Sequence, residues 1–195
     1  MTGILYFSST GNSLQIATQI RSAMGGTIRY IPTYQGTGEE FDQIILVSPI
    51  YSFGLPVHVY DLIPKLTKER PVWVVLNYGG MSGGADAFTY RYALEHGVQI
   101  KGVYLIRMPE NYTLIFSAPQ FYVDATLRSA PKAIEGVIQK IQNEEPRIPK
   151  KKRTKEALYL KNRPTWHLIA RDFPLQKIVS NAENAWSFAR RIIFR

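Results

Sequence analysis

The chain has no cysteine and only three histidines, His58, His96 and His167. Without cysteine there is no disulfide, no thiolate metal site, no cysteine-ligated iron–sulfur cluster and no thiol nucleophile. The histidines stand apart from one another and outside the loops described below, so we read each as structural or exposed. No His, Asp or Glu spacing of a metal site occurs, and there is no Gly-x-Ser-x-Gly elbow. Long apolar runs are also missing. The uncharged stretch from Gln43 to Tyr60 is interrupted by Pro49, Gly54 and Pro56, which argues against a transmembrane helix. The first residues, Met1-Thr2-Gly3-Ile4-Leu5-Tyr6-Phe7, lack the basic and apolar regions of a secretory signal, and the expected location is cytoplasmic.

What is present is a globular composition: 195 residues, 45% hydrophobic and 20% charged. The net charge of +9 is unevenly placed. Residues 1–145 carry 11 Lys/Arg against 12 Asp/Glu, and residues 146–195 carry 13 against 3, so the whole basic excess lies in the last fifty positions. Its densest part is Lys150-Lys151-Lys152-Arg153. Such a segment suits docking to an acidic surface. No nucleic-acid reader motif accompanies it, so nucleic acid is not expected as the partner. We divide the chain into a domain over 1–145 and a basic extension over 146–195.

The first 145 residues alternate short apolar runs with helical patterns, as in an α/β fold with a parallel sheet. Strands are expected at 3–8, 27–31, 43–48, 71–78 and 102–107. Helices are expected at 12–24, 57–66, 85–96 and 130–143. In the first helix Leu14, Ala17, Ile20 and Ala23 recur at helical spacing, and in the last Ala133, Ile134, Val137, Ile138 and Ile141 do so. Strands that are apolar throughout need helices on both faces, which describes a doubly wound open sheet. In the extension, residues 181–194 read as a closing amphipathic helix.

Ligands of such sheets bind beyond the carboxyl ends of the strands. The first loop there is Ser8-Ser9-Thr10-Gly11-Asn12-Ser13, opening the first helix. Hydroxyls, an amide and a glycine around a helix N-terminus favour a phosphate, because unpaired backbone N–H groups and the helix dipole point at it. No lysine follows, so this is not a nucleoside-triphosphate loop, and it is not a Gly-x-Gly-x-x-Gly turn. The second loop, Pro49-Ile50-Tyr51-Ser52-Phe53-Gly54, offers two aromatic rings to a planar ligand. The third, Asn77-Tyr78-Gly79-Gly80 and on to Gly84, offers another ring and backbone able to approach a ligand closely. A fourth, Pro109-Glu110-Asn111-Tyr112, follows the last strand and closes the far edge.

Together these loops resemble flavodoxin-like proteins. Tyr6-Phe7-Ser8-Ser9-Thr10-Gly11-Asn12-Ser13 is similar to the flavodoxin phosphate loop, and the second and third loops fall where flavodoxins grip the isoalloxazine ring. The nearest likeness is to the flavodoxin-like half of proteins that fuse such a domain to a ferredoxin-like one. There a Tyr-Phe-Ser-x-Thr-Gly-Asn-Ser start, a Pro-x-Tyr loop and a Met-Pro-x-Asn-Tyr segment, here residues 108–112, recur. The cysteine-rich ferredoxin part has no counterpart in this chain.

The resemblance implies a five-stranded sheet of order 2-1-3-4-5, FMN as cofactor, and electron transfer or a small flavin-dependent oxidoreductase activity. It implies a redox partner, such as a ferredoxin acting in trans, which the basic extension would dock. Tyr51 and Tyr78 would flank the ring, with Ser8, Ser9, Thr10 and Ser13 as phosphate donors, and no catalytic acid or base is required. Residues 1–145 are nearly neutral and the extension is basic, so with the extension folded near the flavin the doubly reduced flavin should be easier to reach than in a strongly acidic flavodoxin. Two other readings stand beside this one: an NAD(P)H-dependent quinone or flavin reductase, and a flavodoxin-like interaction module that has lost flavin.

Overall fold

The computed structural model describes residues 1–110 and 118–150, together with Lys155 and Leu160. Five strands form one parallel sheet: β1 (Thr2–Tyr6), β2 (Thr27–Tyr30), β3 (Gln43–Pro49), β4 (Val72–Tyr78) and β5 (Ile100–Arg107). Their order is β2-β1-β3-β4-β5, as expected. Four helices connect and cover them: α1 (Asn12–Met24), α2 (Val57–Leu62), α3 (Ala85–Glu95) and α4 (Gln120–Gln142). The order reverses at β1 and β3, which leave the centre of the sheet in opposite directions, and this is where a crevice opens above the strand ends.

Alternate side chains of each strand enter opposite layers. Leu5, Leu46, Val74 and Val103 pack with Val59 of α2 and Phe88 of α3 on one face. Ile4, Ile45, Val75 and Tyr104 pack with Ile16 and Ile20 of α1 and Ile134 and Ile138 of α4 on the other. β2 is an edge strand without a fully buried residue, matching its sparse apolar pattern.

Several elements differ from the sequence reading. The buried stripe of α1 is Ser13, Ile16, Ala17 and Ile20, while Leu14 is half-buried and Ala23 exposed. A serine replaces a hydrophobe in that stripe because its hydroxyl has a partner in the sheet, described below. α2 ends at Leu62, and Ile63–Lys65 tightens into a 3₁₀ turn with Pro64 in its first positions. That proline lacks the N–H that would continue the ladder.

α4 begins at Gln120, ten residues before the expected start, and runs through Pro131. Pro131 is on the exposed side, and Thr126 and Ala130 extend the buried stripe toward the N-terminus, whereas Ala133 is exposed. Beyond α4 the chain returns along the free edge of β5. Val103 N–H donates to Arg147 O at 3.0 Å, and the Arg147 guanidinium donates to Val103 O at 2.9 Å. A side chain at Gly102 would sit 3.0 Å from the Arg147 nitrogen, so glycine permits this approach. The expected helix over 181–194, Lys151–Arg153 and residues 111–112 lie outside the described residues.

Candidate functional site

The four loops singled out above meet at the carboxyl end of the sheet and are bonded to one another. α1 opens on Gly11, whose backbone is left-handed (φ 96°), and the helix has neither a side-chain cap nor an acidic residue in its first turn. Helix N-termini are ordinarily closed by Ser, Thr, Asp or Asn. Here Gly11 N–H instead donates to Ser8 Oγ at 3.0 Å, which curls the loop back over the helix start. Among the described residues a Cβ on Gly11 would meet nothing within 4 Å, so the position beside Gly11 is open. First-turn N–H groups without a cap, an open approach and no carboxylate together make a receptive position for an anion.

The hydroxyls of this loop mostly serve the loop cluster itself. Ser13 is buried, and its Oγ donates to Asn77 Oδ1 of β4 at 2.6 Å. Ser9 Oγ is hydrogen-bonded to the Tyr51 hydroxyl. The Asn12 amide donates to Pro109 O at 3.1 Å. Loop one is thus tied to each of the other three. What it turns toward a ligand is the backbone N–H groups at the start of α1, the Ser8 O–H and the exposed Thr10.

Loop two folds into a tight turn. Tyr51 and Gly54 exchange both backbone hydrogen bonds at 3.0 Å, and the two residues between them, Ser52 (φ 45°) and Phe53 (φ 73°), are both left-handed. Such a turn ordinarily takes Asn-Gly. For residues with a Cβ each left-handed φ costs about 1–2 kcal/mol. The turn is held from below: Ile50 N–H donates to Asn77 O at 2.8 Å, and the Phe53 ring packs so closely on Gly83 that a Cβ there would lie 2.3 Å from it. Tyr51 is largely buried, edge-on to Phe7 at 6.3 Å. Burial raises its phenol pKa above 10.0, with the Ser9 bond lowering it in part. Burial also raises Tyr6 and Tyr30. These phenols remain protonated at neutral pH.

Loop three is supported by residues the sequence reading did not place in the site. Gly80 N–H donates to Glu110 Oε2 at 3.2 Å, while Gly79 O accepts from Arg107 Nε at 3.3 Å and from the Tyr122 hydroxyl at 3.2 Å. The Arg107 guanidinium lies 5.0 Å from the Tyr122 ring centre. Gly79 touches Glu110 so tightly that a Cβ would lie 2.7 Å from the Glu110 Cα. A groove of about 230 Å³ opens beside these residues, lined by Gly80, Glu110, Ala118, Pro119 and Tyr122. Glu110 was legible only as part of a loop after β5, and Tyr122 stands before the stretch recognised as helix. Tyr78 is half-buried at the mouth.

The loops therefore come together as the sequence pattern suggested, with Tyr51 turned down onto Ser9 and Phe53 seated on Gly83. His58 is exposed and stacks on Phe7 at 5.6 Å, and His96 bonds to Tyr92 O at 2.8 Å within its own helix. Among the described residues no three His, Asp or Glu side chains group as a metal site, and no helix is long and apolar enough to cross a membrane.

No family model and no curated protein matches the chain. Solved structures do. The flavodoxin of Fusobacterium nucleatum bound to flavin mononucleotide superposes with a TM-score of 0.53 and 19% identity over 73% of this chain and 97% of that one. A point variant of that flavodoxin, also bound to flavin mononucleotide, gives 0.52 and 19% over 73% and 95%. Two-electron reduced flavodoxin of Megasphaera elsdenii gives 0.47 and 25% over 69% and 99%. The fold of this chain is flavodoxin-like.

Proposed function

We propose that the loop cluster binds FMN and that the chain is an electron-transfer flavoprotein or a small flavin-dependent oxidoreductase. One observation carries this reading. An uncapped helix start, open beside a left-handed Gly11, is locked by hydrogen bonds to two loops that carry aromatic rings and accessible backbone. A ligand with a phosphate at one end and a planar ring at the other matches that pairing. The first-turn N–H groups of α1, with Ser8 and Thr10, would hold the phosphate. Tyr78, Phe53, Tyr51 and the backbone of Ser52, Gly54, Gly79 and Gly80 would border the ring.

The flavin, when bound, supplies the redox chemistry. The chain's own part is to bind and orient it and to keep water from the ring. The shifted tyrosines stay neutral and shuttle no proton at neutral pH.

The basic extension gives the reading a partner class. The 13 Lys/Arg after residue 145 stand against only 3 Asp/Glu in the same segment. A basic excess of this size would attract an acidic redox protein and speed its encounter. Within this reading residues 1–145 form the flavin domain and residues 146–195 the docking extension.

The test is a titration of FMN with the full chain, followed by flavin fluorescence and absorbance. Saturable one-to-one binding with a shifted flavin spectrum is expected. No binding at saturating FMN would overturn the proposal. Bleaching of the bound flavin by NADH or NADPH alone would make the protein a reductase instead of a carrier.

A further inference from the structure

We propose that Lys155 is a positioning residue. It pins the Ser52–Phe53 turn against Gly83, and through that turn it sets how tightly the site holds the planar part of a flavin. The flavin half of this inference rests on the function proposed above; the turn half does not.

Three observations converge on Phe53. Its backbone and that of Ser52 are left-handed, in a turn whose two central positions favour Asn and Gly. Something beyond local preference must therefore hold the turn. Its ring lies against Gly83, where any side chain would collide with it. The Lys155 ammonium stands 4.5 Å from the centre of that ring, within cation–π range, while the Lys155 backbone N–H donates to Gly83 O at 3.0 Å.

Lys155 thus grips both halves of the contact, the ring by its charge and the seat by its backbone. It joins loops two and three from a part of the chain that composition alone reads as a basic docking extension. The residues it pins, Ser52 to Gly54 and Gly83, border the place proposed for the planar ring. They belong to loops two and three and not to the Ser8–Ser13 loop that opens α1, where the phosphate would sit.

The separation of the two ends makes the proposal testable in the full-length protein. Hydrogen exchange is measured without flavin, and FMN and riboflavin are each titrated, for the wild type, Lys155→Ala, Lys155→Arg, Phe53→Leu and the Lys155→Ala/Phe53→Leu pair. Lys155→Ala is expected to speed exchange in the segment around Ser52–Gly54. It should weaken FMN and riboflavin by the same factor, about two- to fivefold, as for an exposed cation–π contact. Lys155→Arg keeps the cation and should stay within about twofold of wild type.

In the Phe53→Leu background Lys155→Ala should add nothing, because the two residues act as one unit. Unchanged exchange in Lys155→Ala would overturn the proposal. So would an effect that persists without the Phe53 ring, or one that affects FMN but spares riboflavin. If the wild type binds no flavin, the functional reading fails by itself, and the exchange comparison still decides whether Lys155 pins the turn.

Discussion

Removing the Ser13 hydroxyl tests whether the loop cluster is built as a bonded unit. Ser13 is 1% exposed and Asn77 4%, and the bond between them is 2.6 Å long. It joins the first turn of α1 to the carboxyl end of β4, 64 positions apart in sequence. A typical hydrogen bond contributes about 1 kcal/mol net, but an amide oxygen left buried without its donor costs about 1–3 kcal/mol. Ser13→Ala removes one oxygen and leaves Asn77 Oδ1 in that position, so the expected loss is about 2 kcal/mol. For a chain of this size that lowers Tm by about 4–8 °C. Urea denaturation should show the midpoint falling at constant slope. Combining Ser13→Ala with Asn77→Leu should cost less than the two separate losses added together, since the pair shares one bond. A loss below about 0.5 kcal/mol for Ser13→Ala would refute the reasoning, because surface substitutions alone reach that size.

Further consequences can be checked on the same protein. Gly79→Ala should destabilise by about 1–3 kcal/mol in chemical denaturation, since its Cβ meets the Glu110 Cα at 2.7 Å, whereas Gly80→Ala, with 3.9 Å of clearance, should stay within about 0.5 kcal/mol. Pro131→Ala should stabilise α4 by about 1–3 kcal/mol in the same assay, because the exposed proline interrupts the helix ladder without supplying a buried contact. The raised phenol pKa values of Tyr6, Tyr30 and Tyr51 mean that above about pH 10 the unfolded chain has lost protons the folded one retains. Stability is therefore full below that pH and falls as pH rises further. In a pH series of thermal melts Tyr51→Phe should show a shallower alkaline decline than the wild type.

Much of the fold was legible because the sheet is buried on both faces. Ile44-Ile45-Leu46-Val47 and Val72-Trp73-Val74-Val75-Leu76 are continuous apolar runs, and their wholly buried positions follow directly. The start of α1 was legible for a different reason: the polar run Ser8–Ser13 ends the β1 segment abruptly and Gly11 sits at the junction. The helix's buried stripe was not, since a core serine looks polar until its partner Asn77 is known. The first ten residues of α4 were hidden by Pro131 and by Phe121, which is 76% exposed and breaks the apolar stripe. In the site, loop composition identified where backbone and rings would gather. It held no signal for the contacts made across the sheet end, such as Glu110 with Gly80, Tyr122 with Gly79, or Lys155 with Phe53. These depend on segments separated by tens of residues and on no local pattern.

The central claim is that α1 receives a phosphate while loops two and three receive a ring. Comparing FMN with riboflavin by isothermal titration tests it most directly, because the two differ only in the phosphate. A hydrogen bond to a charged phosphate contributes about 1.5–3 kcal/mol and the helix dipole up to about 2 kcal/mol more, so FMN should bind at least about tenfold more tightly than riboflavin. Equal affinities, or no binding of FMN at saturating concentration, would contradict the account.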